Sequence, residues 1–186
     1  LPPMFTEKVG QLRKIGPVLD YCLVGHMGEG KNVELVIEAF IELYKRGFKA
    51  QITFYGGSEE RLAELQNQYD LPPTIHFKGI VNEVPYHLHQ CYLSASYTEL
   101  FANACVEALN QGLLALLSDV DIAHRFYAGQ SNAINLFKTK SELIQKIEEM
   151  EQPDFYLLNE KNLALASRYS LEKVAQIYRE LLDRNF

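Results

Sequence analysis

Short apolar runs alternate with helical patterns along most of this chain, and no other feature of the sequence constrains its fold as strongly. Each run leads into a polar or glycine-containing loop and then into apolar residues at helical spacing. A right-handed crossover after each strand places a helix over a parallel sheet. The sequence therefore predicts an α/β fold, a doubly wound, Rossmann-like parallel sheet of about six strands with helices on both faces. The predicted strands are residues 18–25, 51–57, 75–79, 91–96, 113–119 and 133–137.

The predicted helices are marked by residues that favour helix termini. Asn32 is predicted as the N-cap of the first helix, and Gly47 ends that helix behind two cations. Ser58 is predicted as the next N-cap, with an acidic pair in the first turn. Later helices are predicted over 58–69, 85–90, 102–111 and 122–127, and three helical segments close the chain.

Composition and charge exclude several classes of partner. A formal net charge of -6 and the absence of a basic block argue against nucleic acid. No apolar run approaches the roughly 20 residues of a membrane span, and the longest, 113–117, has five, so a soluble domain is predicted. Cys22, Cys91 and Cys105 are odd in number and far apart, which predicts buried free thiols and a cytoplasmic location.

The ends of the chain indicate a division into three parts. The first residue is not Met, so a piece of a longer protein is expected. Residues 1–17 are predicted as a linker, 18–168 as the compact domain and 169–186 as a closing helix. The closing helix has an apolar face that would dock on its own domain or bridge to another.

Ligands of doubly wound sheets bind beyond the carboxyl ends of the strands, so the loops there are the candidate sites. The first such loop, residues 25–31 (GHMGEGK), places three glycines and one lysine between a strand and a helix. Glycines let the backbone approach a ligand, and the helix N-terminus supplies N–H groups and a partial positive charge, to which Lys31 adds a full charge. The loop is predicted to bind an anion, and the alternative is a glycine-rich turn with a solvated lysine.

A second alternative for this loop is the P-loop of nucleoside triphosphatases. Gly25, four residues, Gly30 and Lys31 match that motif, and Asp119 at the end of an apolar strand is a candidate for its second acidic motif. Asn32 replaces the Ser or Thr whose hydroxyl holds magnesium, and an acidic loop residue would face the phosphates. Both differences weaken this interpretation.

Two carboxylates, Glu99 and Glu107, flank the start of a later helix. If all eight steps between them were helical, about 12 Å along the axis would separate them, which exceeds the roughly 5–10 Å of a glycosidase pair. The spacing suits two hydroxyl-binding contacts on one extended ligand, with helix N–H groups near Ala102 open to a phosphate or sugar oxygen. On spacing alone, a loop carboxylate and an exposed helical glutamate remain the alternative.

Several segments, in order, resemble one family. The stretch from Glu99 to Glu107 resembles the E-x7-E signature of retaining glycosyltransferases of the GT-B fold, in particular family 4, the glycosyl transferases group 1. Further likeness lies in VGHMGEGKNVELVIEAF, ITFYGGSEERL, IHFKGIV and CYLSASYTELFANACVEALNQGLLALLSD. Order and spacing agree from about Cys22 to Asp119, and RYSLEKVAQIYRELL resembles the closing helix of the family.

The resemblance implies the C-terminal, donor-binding half of a two-domain enzyme, here residues 18–168. Such an enzyme moves a sugar, as a hexosyltransferase, from a nucleotide-diphosphate sugar to an acceptor in glycan, polysaccharide or glycoconjugate synthesis. A UDP sugar is the favoured donor, and no metal or other cofactor is expected. The implied partner is an N-terminal acceptor-binding domain, through which peripheral membrane association stays open, and the fragment alone is expected to be inactive.

The resemblance also assigns roles to single residues. His26 and Lys31 would hold the diphosphate and stabilise its leaving charge, and Glu99 would contact the transferred sugar, so these three are the predicted catalytic residues. Glu107 would bind the ribose hydroxyls. Retention is implied to proceed by front-face displacement, with electrostatics at the diphosphate lowering the barrier. The other predicted donor-binding residues are Gly25, Gly28, Gly30, Ile80, Val81, Leu100, Phe101, Ala102 and Asn103.

Some positions depart from the family pattern. His26 stands where the family usually has Arg, and a free histidine is mostly neutral at pH 7. Ser58 and Ala102 each replace a glycine, and Leu114 replaces a proline. These differences leave a second hypothesis, a degenerate, non-catalytic module that binds a partner or an acceptor.

Other polar residues carry weaker signals. His87 and His89 are two positions apart and no third ligand follows at useful spacing, so no metal site is predicted. His124 and Arg125 follow the fifth predicted strand, where they would approach a ligand or cap a helix. The pattern does not decide between these two roles.

Overall fold

The computed structural model describes residues 14–99, 102–158 and 163–164, and within them the predicted alternation of strands and helices is present. The strands are β1 (Lys14–Ile15), β2 (Asp20–Val24), β3 (Gln51–Tyr55), β4 (Ile75–Gly79), β5 (Cys91–Ser94), β6 (Leu114–Ser118), β7 (Ile134–Phe137) and β8 (Leu157–Leu158). The helices are α1 (Val33–Lys45), α2 (Glu59–Gln68), α3 (Asn103–Asn110), α4 (Ile122–Ala128) and α5 (Lys140–Met150). Single 3-10 turns lie at Glu29–Lys31 and Tyr86–Leu88.

Six strands form one sheet in the order β4-β3-β2-β5-β6-β7, and every pair is parallel. The chain moves outward from β2 to β3 and β4, and then returns to place β5 on the other side of β2. The direction of strand order therefore reverses between β2 and β5. In sheets of this kind the reversal opens a crevice beyond the carboxyl ends of the two strands. The predicted doubly wound α/β class is confirmed.

Side chains of the central strands point alternately to two apolar cores. In β6, Leu114 and Leu116 belong to the core that α1, α2 and α5 cover, whereas Ala115 and Leu117 belong to the core that α3 and α4 cover. All of β6 is buried, which requires helices on both faces of the sheet. The predicted placement of helices on both faces is therefore confirmed.

All three predicted helix-end residues lie at helix ends, and two of them act as predicted. The Ser58 hydroxyl accepts a hydrogen bond from the Arg61 N–H at 3.3 Å, and Gly47 follows α1 with a φ of +87°. Asn32 occupies the predicted N-cap position of α1, but its side chain does not cap the helix. Asn32 has a left-handed φ of +50° and its side chain makes no capping bond, because the 3-10 turn at Glu29–Lys31 leads directly into α1.

The predicted bounds of the strands and of most helices agree with the structure to within two residues at each end. The exception is the predicted helix over 85–90, which is wrong. It contains only the 3-10 turn at Tyr86–Leu88, because β5 begins at Cys91 and leaves no length for a further turn.

A second, two-stranded sheet pairs β1 with β8 in antiparallel orientation. The Lys14 ammonium lies 3.9 Å from the centroid of the Tyr156 ring, a cation–π contact across this pair. The segment predicted as a linker, 1–17, thus contributes a strand, and the predicted closing helix, 169–186, lies outside the described residues. Within the described ranges, no helix is both long and apolar enough to span a bilayer.

Candidate functional site

Two loops meet where the strand order reverses. One is the glycine-rich loop of residues 25–31 after β2, and the other is the loop of residues 95–99 after β5. The Tyr97 N–H donates a hydrogen bond to the Gly30 carbonyl at 3.0 Å and joins the two loops directly. The candidate site lies in the crevice that the sheet topology predicts.

A cavity of about 530 Å³ opens between these loops and the start of α3. Its size falls in the range of ordinary small-molecule sites. The predicted site residues that line it are His26, Gly30, Lys31, Glu99, Ala102 and Asn103. Further lining residues, which the sequence analysis did not assign to the site, are Tyr92, Thr98 and Ala104.

An ion pair crosses the cavity wall between the two loops. Lys31 Nζ donates to Glu99 Oε1, and the two side chains are only 17% and 14% exposed. The Ser96 hydroxyl donates to the same carboxylate oxygen at 2.7 Å. Charge-assisted hydrogen bonds of this kind orient both partners. The structure therefore brings together two of the predicted catalytic residues, 68 positions apart in sequence.

His26 is an exposed residue on the same cavity. Its Nδ1 accepts a hydrogen bond from the Gly28 N–H at 3.3 Å. A nitrogen that accepts is unprotonated, so the neutral ring carries its proton on Nε2. In this tautomer His26 has one N–H donor to offer to an anion in the cavity.

The glycines of the first loop have two different structural roles. A Cβ at Gly25 would lie 3.0 Å from Lys31 Cε, and a Cβ at Gly28 would lie 2.9 Å from His26 Nδ1. These two glycines leave room for the functional side chains. A Cβ at Gly30 would meet nothing within 4 Å, so the backbone there lies open on the cavity side.

Arg61, on α2, holds the glycine-rich loop from outside, and the sequence analysis did not find it. Its Nε donates to the Met27 carbonyl at 3.0 Å, and its guanidinium also pairs with Glu34 and Glu64. The charge of Arg61 is thus compensated by two carboxylates of the same chain. Its only signal in the sequence is the pairing with Glu64 three positions later, which is common on helix surfaces.

Glu107, on α3, is absent from the residues that line the cavity. The Tyr86 hydroxyl donates to Glu107 Oε2 at 3.1 Å. Burial raises the pKa of the Glu107 carboxyl, and the hydrogen bond from Tyr86 opposes this rise only in part. The fold therefore keeps this carboxylate in a partly buried environment, with the Tyr86 hydroxyl as its hydrogen-bond donor.

Glu107→Gln is expected to stabilise the fold at neutral pH, because it removes a buried charge and keeps an acceptor for the Tyr86 hydroxyl. The folded-state pKa is raised above the ordinary 4.5, so the folded wild type binds more protons than the unfolded chain and loses stability as the pH rises through that range. Urea unfolding of both proteins at about pH 4 and about pH 7 measures the effect. The advantage of the variant should be larger at the higher pH. The exposed Glu149→Gln is the matched control, and an equal trend there would assign the effect to net charge.

Ile80 and Val81 lie apart from the cavity. Ile80 is 82% exposed and lines a different cavity, of about 460 Å³, beyond β4 and beside α2. Lys78 and Gly79 line the same cavity. This second cavity lies at the carboxyl edge of the outer strands, on the β3 and β4 side of the reversal.

The start of α3 forms the remaining wall of the main cavity. Leu100 and Phe101, predicted to bind donor, lie outside the described residues. Ala102 has a left-handed φ of +45° and precedes α3, whose first residue is Asn103. The N–H groups of Asn103 and Ala104 belong to the first turn, where a helix supplies no backbone acceptor.

The P-loop alternative is not supported by the geometry. The Asp119 carboxylate lies 2.7 Å from Arg125 Nε and 3.3 Å from Lys138 Nζ, and Lys31 pairs with Glu99 instead. The sequence left open whether Arg125 approaches a ligand or caps a helix. In the structure its guanidinium binds the neighbouring Asp119 carboxylate. His124 is fully buried.

The cysteine prediction is confirmed in its structural part. Cys22, Cys91 and Cys105 are buried and free, and burial raises the pKa of each thiol.

His89 is buried and its Nε2 lies 2.9 Å from the Tyr55 hydroxyl. Across the part of the chain that the structure describes, no three His, Cys, Asp or Glu side chains are grouped to hold a metal ion.

Comparison with protein families gives one match over most of the chain. The sequence profile described as glycosyl transferases group 1 matches residues 5–168. Comparison with curated proteins finds no match.

Solved structures share the fold at low sequence identity. The GtfA/B complex aligns with a TM-score of 0.76 at 16% identity, over 97% of this chain and 37% of that chain. The pneumococcal O-GlcNAc transferase GtfA in complex with UDP and GlcNAc aligns with a TM-score of 0.71 at 17% identity, over 91% of this chain and 36% of that chain. Sucrose-phosphate synthase from Thermosynechococcus elongatus aligns with a TM-score of 0.70 at 18% identity, over 90% of this chain and 46% of that chain. At these identities the likeness shows the fold alone, and the chain spans less than half of each of those proteins.

Proposed function

This chain belongs to the glycosyl transferases group 1 family, and from that membership we propose that it is the donor-binding domain of a retaining glycosyltransferase that uses a nucleotide-diphosphate sugar. The observation that carries the proposal is the cavity at the sheet reversal. There a glycine-rich loop with one cation faces a carboxylate and the start of a helix.

The groups on one side of the cavity suit a diphosphate. Lys31 has three N–H donors, so it can bind a phosphate oxygen and keep its bond to Glu99. His26 has an N–H on Nε2, and the open backbone at Gly30 permits close approach. The first turn of α3 adds N–H groups and a partial positive charge. Together these groups would stabilise the charge that develops on the leaving diphosphate.

The groups on the other side suit sugar hydroxyls. The Glu99 carboxylate accepts from Lys31 and Ser96 through the same oxygen and has further acceptor positions for hydroxyl donors. Glu107, on α3 but outside the lining of the cavity, would accept from the ribose hydroxyls, as the family resemblance implies. In this proposal Glu99 lies beside the transferred sugar and Lys31 beside the bond that breaks.

UDP is the favoured nucleotide. The pneumococcal O-GlcNAc transferase that shares the fold was crystallised with UDP and GlcNAc. The proposal further includes an acceptor-binding domain, a cytoplasmic location and a place in glycan, polysaccharide or glycoconjugate synthesis.

Calorimetric titration of this chain with UDP, GDP, ADP and their sugar conjugates, with and without magnesium, tests the proposal. We expect one nucleoside diphosphate to bind without metal, and Glu107→Ala to weaken it by about tenfold or more. The exposed Glu149→Ala should bind as the wild type does. If none of the three nucleotides binds, the proposal is wrong.

A second function, a non-catalytic module that binds a partner protein, is favoured by the exposed apolar residues at the same sheet edge. Tyr97, Ile122 and Phe126 are 57%, 82% and 57% exposed, and the last two are one helical turn apart on α4. Such groups often mark contact surfaces. Donor-dependent transfer or hydrolysis by the complete protein alone would contradict this second function.

A further inference from the structure

Asp121 is a buried carboxylate that joins the loop after β6 to the 95–99 loop of the site, and no role was predicted for it from the sequence. It is 4% exposed and lies between β6 and α4. Its Oδ1 accepts from the His124 N–H at 3.1 Å and so caps α4. Its Oδ2 accepts from the Glu99 N–H at 2.6 Å, a contact between residues 22 positions apart.

The double contact explains why a carboxylate stands at this position. Each oxygen accepts from a different backbone N–H, so both must be acceptors. An asparagine in the same place has one acceptor oxygen and one NH₂ group. It would keep the helix cap but turn a donor toward the Glu99 N–H.

A second set of hydrogen bonds joins the same two loops. The Ser118 hydroxyl donates to the Ser96 carbonyl at 2.5 Å, and the Ser96 hydroxyl donates to Glu99 Oε1 at 2.7 Å. His124 Nδ1 lies 3.0 Å from the Ser118 carbonyl and fixes the other end of this set. Glu99 is therefore held through its backbone by Asp121 and through its side chain by Ser96 and Lys31.

We propose that Asp121 is a positioning residue, which orients Glu99 toward the sugar of the bound donor. The inference rests on the proposed function, since it concerns the same cavity. Asp121 itself does not line that cavity. It acts through the peptide group of Glu99, so its loss should affect the contacts to the sugar and spare those to the nucleotide.

The test compares two affinities in this chain. Calorimetry measures Kd for UDP and for UDP-glucose, or for the GDP or ADP pair if the first titration selects that base, in the wild type and in Asp121→Asn. The ratio of Kd for the sugar conjugate to Kd for the diphosphate should rise by about fivefold to tenfold in the variant. At neutral pH, UDP carries about one more negative charge than UDP-glucose, so the lost charge of Asp121 by itself would raise the ratio somewhat. The variant Ser118→Ala changes no charge, so a rise in its ratio as well is required to assign the effect to the position of Glu99.

Thr139→Ala is the matched control. Thr139 caps α5 by accepting from the Glu142 N–H at 3.1 Å, outside the site, so the variant loses a helix cap without touching Glu99. Its ratio should equal that of the wild type. Ser118→Ala, which removes the bond to the Ser96 carbonyl, should raise the ratio in the same direction and provides a second variant.

An unchanged ratio in Asp121→Asn, including equal weakening of both ligands, would overturn the inference and leave nucleotide binding intact. A raised ratio in Thr139→Ala would also overturn it, because general loss of a helix cap would then be the cause. If the wild type binds no nucleotide, the proposed function fails, and the inference fails with it.

Discussion

Lys31→Ala should weaken binding of the nucleoside diphosphate by about tenfold to a hundredfold, the usual effect of losing a charge-assisted hydrogen bond. Lys31 is the last residue of the 3-10 turn that precedes α1, is mostly buried and lines the cavity. Its removal also leaves the Glu99 carboxylate without a cation beside an anionic ligand. Both effects act in the same direction, and calorimetry of this chain measures their sum.

In the complete protein, transfer by Lys31→Ala should fall further than binding does, by about a hundredfold to a thousandfold, because charge on the leaving diphosphate is largest in the transition state. Lys140→Ala is the matched control, since it breaks another Lys–Glu pair, with Glu38 at 3.0 Å, on an exposed surface. Wild-type affinity for the diphosphate in Lys31→Ala would contradict the role given to this residue.

Gly56→Ala should lower the free energy of unfolding by about 3 kcal/mol. Gly56 follows β3 with a φ of +104°, and a Cβ there would lie 2.1 Å from the Gly25 carbonyl oxygen. The obstacle is backbone, which cannot rotate away as a side chain does. The Gly56 N–H also donates to the Gly79 carbonyl at 2.6 Å, so the loops after β2, β3 and β4 are packed together at this residue.

Urea unfolding measures the effect of Gly56→Ala, and Gly129→Ala is its control. Gly129 has an ordinary φ of -63°, and the atom nearest to a Cβ there would be the Arg125 carbonyl oxygen at 3.5 Å. The control should unfold within about 0.5 kcal/mol of the wild type. A loss of less than about 1 kcal/mol in Gly56→Ala would show that the loops can separate without penalty.

The two variants test different properties of the same loop. Lys31→Ala changes the charge of the site and leaves its backbone in place. Gly56→Ala displaces the backbone from which Gly25 begins the loop, so donor binding should also weaken there. A variant that binds poorly but unfolds as the wild type does therefore identifies a contact to the ligand.

Much of the site was predictable because its parts are local. Glycines next to a helix start predict an anion-binding loop wherever the sheet places them, and His26 and Lys31 lie within that loop. The E-x7-E stretch likewise lies within one strand, loop and helix unit. Ile80 and Val81 were grouped with these residues from the resemblance alone, and the structure puts Ile80 on a separate cavity.

Local pattern alone was enough for the strands, most of the helices and the two faces of the sheet, because side-chain periodicity and helix termini depend on neighbours in sequence. It failed at residues 85–90, where the start of β5 leaves room only for a 3-10 turn. The local pattern does not predict the order of the strands in the sheet. Lys31 meets Glu99 only because β5 returns to pair with β2, and Asp121 reaches Glu99 only because β6 lies next to β5. These contacts join residues far apart in the chain and depend on the packing of the whole sheet, so only the tertiary structure decides them.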